Sequence, residues 1–284
     1  MKLVRFGPAG AEKPGMLDTT GVLRDLSGFI ADIGPEALAP EALARLAALD
    51  QGSLPEVSGD VRYGPPVVGT RQFIAIGLNY SDHAAESGMP VPTEPIIFTK
   101  GISCIQGPDD DVRKPRLSTK MDWEVELGIV IGTTARYVAK ERALEHVAGY
   151  VVVDDLSERN FQLERGGTWD KGKGCETFGP VGPWLVTCDE VGEVQTLDMW
   201  LDVNGKRMQT GNTKTMIFDC ATLVSYVSEF MVLLPGDIIT TGTPPGVGMG
   251  MKPPMFLKES DVIELGVDKL GTQRHRVVAW DEEG

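Results

Sequence analysis

Eleven consecutive residues, 121–131 (MDWEVELGIVI), constrain the fold of this chain more than any other stretch. From Trp123 onward every odd position is apolar (Trp123, Val125, Leu127, Ile129, Ile131), the period-two signature of a strand with a buried face. The other face opens with Asp122, Glu124 and Glu126 in a row, with neighbours about 6.6–7 Å apart along extended backbone. Carboxylates so placed repel one another unless a cation sits among them. The alternative is an edge strand that carries charge to discourage sheet-to-sheet association. The absence of any lysine between the three favours the cation.

Short strand-like runs recur at 73–76, 96–98, 150–153, 184–186, 199–203, 237–241, 262–267 and 275–280. Helical patterns are few, at about 140–146, 157–164 and 219–231. The 34 glycines and 19 prolines among 284 residues punctuate the chain too often for a helix bundle or solenoid. Strands and helices alternate too irregularly for a Rossmann sheet or a TIM barrel, which leaves a β-rich α+β fold. Residues 1–65 read as a small leading α/β unit, with strands at 2–6 and 21–26 and an amphipathic helix within 36–49. Residues 50–66 have linker composition, so the catalytic part is expected over 66–284.

Twenty-seven basic against 41 acidic residues give a formal charge of −14, which repels phosphate backbones and argues against a nucleic-acid partner. No apolar stretch approaches the roughly 18–20 residues that span a bilayer, and the first residues lack a signal-peptide core. Cys104, Cys175, Cys188 and Cys220 are scattered, with no CxxC pair. A cytoplasmic protein with reduced thiols is expected.

Four further segments carry chemistry. The apolar run 150–153 ends in Asp154-Asp155, so one carboxylate is expected to turn toward the Glu pair and the other to cap the next helix. Three carboxylates without cysteine or histidine suit a hard cation, Mg2+ or Mn2+, rather than zinc. His83 and Glu86 are spaced i, i+3 on a short helix opened by Ser81 and ended by Gly88. That spacing lets the carboxylate raise the basicity of the imidazole, as a general base requires, on a segment that orders when ligand binds. The glycine-rich stretch 166–174 holds Lys171 and Lys173 without P-loop spacing, so a lysine beside a metal-bound anion is expected rather than a nucleotide site. Residues 239–248 (ITTGTPPGVG) read as a strand entering a tight turn, or as a backbone-and-hydroxyl cradle for a carboxylate.

Together these segments resemble the fumarylacetoacetate hydrolase family. The matching pieces are NYSDHAAE at 79–86, the Glu124/Glu126 pair, and GYVVVDD running into Asp155. KGCETFGP at 173–180, PGD at 235–237 and TGTPPGVG at 241–248 follow in the same order. The resemblance implies a β-roll core, a homodimer or dimer of dimers, and one Mg2+ or Mn2+ held by Glu124, Glu126 and Asp155. It implies that His83 and Glu86 activate water and that Lys173 neutralises a developing enolate. Arg159, Gln162 and Thr243 would hold a small 2-oxo acid substrate, with Asp122 and Asp154 farther out or at the surface. The segments at residues 86–92 (ESGMPVP) and 165–180 are similar to bacterial members that hydrolyse 2,4-diketo-3-deoxy-rhamnonate or -fuconate. Oxaloacetate decarboxylation, hydroxymuconate isomerisation or decarboxylation, and ureidoglycolate cleavage are the alternatives on the same kind of site. An inverting glycosidase and a non-catalytic cation-binding protein are the readings outside it.

Overall fold

A computed structural model describes residues 1–83, 88 and 90–281. Its large sheet runs in the order β3-β2-β1-β9-β8-β7-β12-β4-β5. These strands are β1 (Lys2–Phe6), β2 (Lys13–Leu17), β3 (Leu23–Asp25), β4 (Phe73–Gly77) and β5 (Ile96–Lys100). With them lie β7 (Val125–Ile131), β8 (Val147–Asp154), β9 (Gly179–Thr187) and β12 (Ile238–Thr240). A smaller sheet has the order β11-β10-β13-β14-β6. It comprises β6 (Val112–Lys114), β10 (Asp198–Val203), β11 (Lys206–Asn212), β13 (Val262–Val267) and β14 (Gly271–Ala279). Strand β1 pairs with β9 (Lys2↔Val186), so the leading strands extend the large sheet at one edge.

The core explains the placement of β7 and β8. Every residue of β7 is buried, and all of β8 but Val147. Such strands lie at the centre of a sheet covered on both faces, as their near-continuous Val/Ile runs require. Leu201, Ile263 and Leu265 of the smaller sheet pack into the same core. So do Leu223, Val224 and Val227 of the helix Cys220–Phe230, whose start is fixed by Asp219 accepting from the Thr222 amide at 2.7 Å. No described helix is long and apolar enough to cross a membrane.

The alternation over 121–131 does not make one uninterrupted strand. Met121–Asp122 pairs with Ser157–Glu158, the chain leaves the ladder at Trp123 and Glu124, and β7 resumes at Val125. Both faces of this stretch are buried, so the acidic positions face a polar interior and not solvent. The ladder then sets the geometry of the site. Val125 pairs with Asp154, which brings Glu124 level with Asp155 just past the end of the β7–β8 ladder. On the other side Gly128 pairs with Thr240, which delivers residues 240–242 to Glu126.

Candidate metal centre

Glu124, Glu126 and Asp155 are 7, 2 and 1 % exposed, and one oxygen from each lies within 4.8 Å of the others. Each is held by a separate device. The Thr240 hydroxyl and the Gly242 amide (2.7 Å) both donate to Glu126 Oε2. Gly242 has a φ of +93°, and a Cβ there would lie 2.9 Å from the Asn79 Cβ, so only glycine turns the chain in that space. The 239–248 cradle therefore does receive a carboxylate, and it is the protein's own. Glu124 is fixed through its backbone: its amide donates to Asp154 Oδ1 (3.1 Å) and its carbonyl accepts from the Asp155 amide (2.9 Å). The next amide, that of Val125, donates to Gln209 Oε1 at 2.9 Å.

Three buried cations surround the carboxylates. Lys173 Nζ lies 2.6 Å from Glu124 Oε2 and 2.7 Å from Asp155 Oδ2. Lys100 Nζ donates to Asp155 Oδ1 and to the Lys173 carbonyl, each at 2.6 Å. The Arg159 guanidinium spans Asp122 (2.8 Å) and Glu124 Oε1 (2.6 Å), and also donates to Gln162 Oε1 at 3.1 Å. Lys173 closes a short helix, Asp170–Lys173, beside the helix Arg159–Glu164. Gly172 permits that approach, because a Cβ there would lie 2.5 Å from the Glu158 carbonyl. Phe98 lies 5.3 Å from Lys173 Nζ and packs edge-on against Trp169, forming an aromatic wall beside the charges.

Charge shows what the cluster lacks. Fully ionised, the buried carboxyls of Asp122, Glu124, Glu126, Asp154 and Asp155 exceed the three cations Lys100, Lys173 and Arg159 by two charges, and burial resists this by pushing the Asp154 carboxyl up to about 8. Burial, and then the neighbouring Asp155 and Glu124 carboxylates, push the Glu126 carboxyl well above its ordinary range. Burial also raises Glu124, but the Arg159 and Lys173 charges outweigh it and hold that group at about 2. Lys100 stays charged above the ordinary lysine range: burial opposes this, and Asp155 prevails. A divalent cation where the three carboxylates converge would cancel the excess. Three hard oxygen donors suit Mg2+ or Mn2+.

The other expected residues fall into place unevenly. Arg159, Gln162 and Thr243 are buried near the triad, and the Thr243 hydroxyl donates to the Val125 carbonyl (2.9 Å) while accepting from Gln209 (2.8 Å). His83 is half-buried in the helical turn 81–83, six residues beyond β4, whereas Glu86 lies outside the described residues. Asp154 does not cap the following helix; Glu158 does, accepting from the Asn160 amide. Asp122 lies one step out from the triad, as expected, and not at the surface. It is fully buried and accepts from Arg159, from its neighbour Trp123 and from the amides of Gly248 and Met249. Lys100 escapes the sequence reading, although a lysine closing the apolar run 96–98 was the available signal.

A buried carboxylate triad ringed by ammonium and guanidinium groups at the end of a central strand pair suits catalysis, and comparison with known proteins identifies the family. Residues 72–278 match the model of the fumarylacetoacetate (FAA) hydrolase C-terminal region. A Burkholderia ambifaria protein with a provisional hydrolase name is 59% identical over 274 residues, 96% of this chain and 97% of that one. Fumarylacetoacetate hydrolase from the psychrophile Exiguobacterium antarcticum superposes with a TM-score of 0.87 at 34% identity, covering 99% of this chain and all of the other. Maleylpyruvate hydrolase from Sphingobium sp. SYK-6, in complex with manganese(II) and pyruvate, superposes with a TM-score of 0.83 at 29% identity, with the same coverage. The chain belongs to the fumarylacetoacetate hydrolase family. Solved structures that match it include isomerases as well as hydrolases.

Proposed function

We propose that the protein is a Mg2+- or Mn2+-dependent hydrolase that cleaves the C3–C4 bond of a 2,4-dioxo acid to pyruvate and a carboxylic acid. The observation that carries this reading is the converging Glu124/Glu126/Asp155 set with Lys173 against two of its members. The manganese and pyruvate in the Sphingobium enzyme support the same cation and the same three-carbon end.

Bound by the triad, the cation supplies Lewis-acid polarisation of the oxygens of the 2-oxo acid. Arg159, Gln162 and Thr243 orient that end of the substrate. Lys173 keeps a positive charge beside the oxygen on which enolate charge develops, in a site where burial strengthens the interaction. His83, with Glu86 assigned as its partner from the sequence spacing alone, takes a proton from the attacking water. Hydroxide adds at C4, the C3–C4 bond breaks toward C3, and C3 takes a proton to give pyruvate. The substrate class is that of 2,4-diketo-3-deoxy sugar acids such as the rhamnonate or fuconate derivative, whose other product is lactate. A homodimer or dimer of dimers belongs to the same reading, and light scattering checks it.

The test is a panel of 2,4-dioxo acids assayed for pyruvate with Mn2+ and with EDTA. Metal-dependent pyruvate release supports the proposal. Faster turnover of oxaloacetate than of any acylpyruvate would make the enzyme a decarboxylase. Turnover of a hydroxymuconate with no pyruvate formed would make it an isomerase.

A further inference from the structure

Behind the triad lies a second buried polar group that the proposed chemistry does not use. Among the described residues, the buried side-chain polar atoms without a hydrogen-bond partner are Asp154 Oδ2, Trp184 Nε1, Gln273 Oε1 and both ring nitrogens of His275. His275 is 0 % exposed. It projects inward from β14 on the same face as Gln273, whose side-chain amide donates to the Val152 (2.8 Å) and Gly182 (2.9 Å) carbonyls of the large sheet. The His275 Nε2 atom lies 3.8 Å from Asp154 Oδ2, within about 1 Å of hydrogen-bonding distance.

The position of Asp154 gives this pair its meaning. Where the chain leaves the ladder at Trp123 and Glu124, the Glu124 amide has no strand partner, and Asp154 Oδ1 receives it. Asp154 is thus the clamp that aims Glu124, and only one of its two oxygens is engaged. Burial holds His275 far below the ordinary histidine range, at about 3, with the Asp110 charge opposing, so the ring is neutral and has one N–H to give.

We infer that His275 is a positioning residue for the metal centre: a closer approach of its ring to Asp154 Oδ2, 3.8 Å away, makes a hydrogen bond that fixes the side chain orienting Glu124 toward Glu126 and Asp155. The inference rests on the metal-binding reading proposed above. An outer residue that orients a metal ligand typically contributes 10–100-fold to metal affinity. The pair contributes little to the stability of the metal-free fold, because the cost of the second ring nitrogen, buried and unpaired, offsets the bond made by the first.

The experiment measures Mn2+ binding by calorimetry and the melting midpoint in EDTA for the full-length wild type, His275→Leu and His275→Gln. The inference predicts about 10–100-fold weaker Mn2+ binding in the leucine variant, with a midpoint in EDTA within about 3 °C of the wild type. The glutamine variant, whose amide can hydrogen-bond Asp154, should bind within about threefold of the wild type. If His275→Leu does not fold, His275→Met is measured in its place. Wild-type affinity in the apolar variant overturns the inference. So does a loss of affinity that comes with a midpoint in EDTA more than about 5 °C below the wild type, since that marks a merely structural residue. A wild type that binds no Mn2+ overturns the metal site itself, and this inference with it.

Discussion

Replacing Lys173 with methionine separates the two ways of neutralising the carboxylates. The ammonium sits 2.6 Å from Glu124 and 2.7 Å from Asp155, with its side chain 3 % exposed. Removing one partner of a buried ion pair costs roughly 3–5 kcal/mol, because the opposite charges remain buried and uncompensated. For a chain of 284 residues the unfolding entropy is about 0.6 kcal/mol per kelvin, so the melting midpoint in EDTA should fall by about 5–8 °C. A divalent cation on the same oxygens takes over the neutralisation. Saturating Mn2+ should therefore raise the variant's midpoint by about 5–8 °C more than it raises that of the wild type. Differential scanning fluorimetry with EDTA and with Mn2+ measures both shifts, and pyruvate release should be lost whichever condition is used. A midpoint in EDTA within about 1 °C of the wild type would refute the idea that Lys173 offsets these charges. Equal metal-induced shifts in the two proteins would refute the idea that ammonium and metal share the same carboxylates.

Three other variants probe separate parts of the account. Glu126→Gln can still accept from Thr240 and Gly242 but loses a ligand charge, so Mn2+ affinity measured by calorimetry should drop at least about tenfold. His83→Ala should leave Mn2+ affinity unchanged and slow pyruvate release by roughly 10²–10⁴; an unchanged rate would remove His83 from the chemistry. Gly242→Ala, forced to a φ of +93° with its Cβ 2.9 Å from that of Asn79, should lose roughly 1–3 kcal/mol in urea titration.

Much of this site could be read from the chain because its signals are local. The glutamates sit two apart at the start of an apolar alternation, and Asp155 follows a run whose apolar character alone makes it a buried strand. The strand Val262–Val267 and the Asp219-capped helix appear where pattern and capping chemistry place them. What escaped depends on partners far along the chain. Lys100 acquires its role from Asp155 and Lys173, 55 and 73 residues away. The break at Trp123 and Glu124 is invisible in the alternation because Asp122, grasping the amides of residues 248 and 249, imposes it from outside. Strand β2 contains Pro14 and Gly15, which read as a turn, yet pairing with both β1 and β3 holds it extended. Strand β11 (KRMQTGN) buries only Gln209 at the edge of its sheet, and so has no apolar period to detect. His275 was accessible by alternation, since Gln273, His275 and Val277 point inward between exposed Arg274 and Arg276.

The central claim is that Glu124, Glu126 and Asp155 jointly hold one divalent cation. Anomalous diffraction from a crystal of the protein grown with Mn2+, recorded at the manganese edge, tests it most directly. The account predicts a single strong peak per chain, about 2.1 Å from one oxygen of each of the three side chains. A map with no peak between them, or with its peak on other residues, would contradict it.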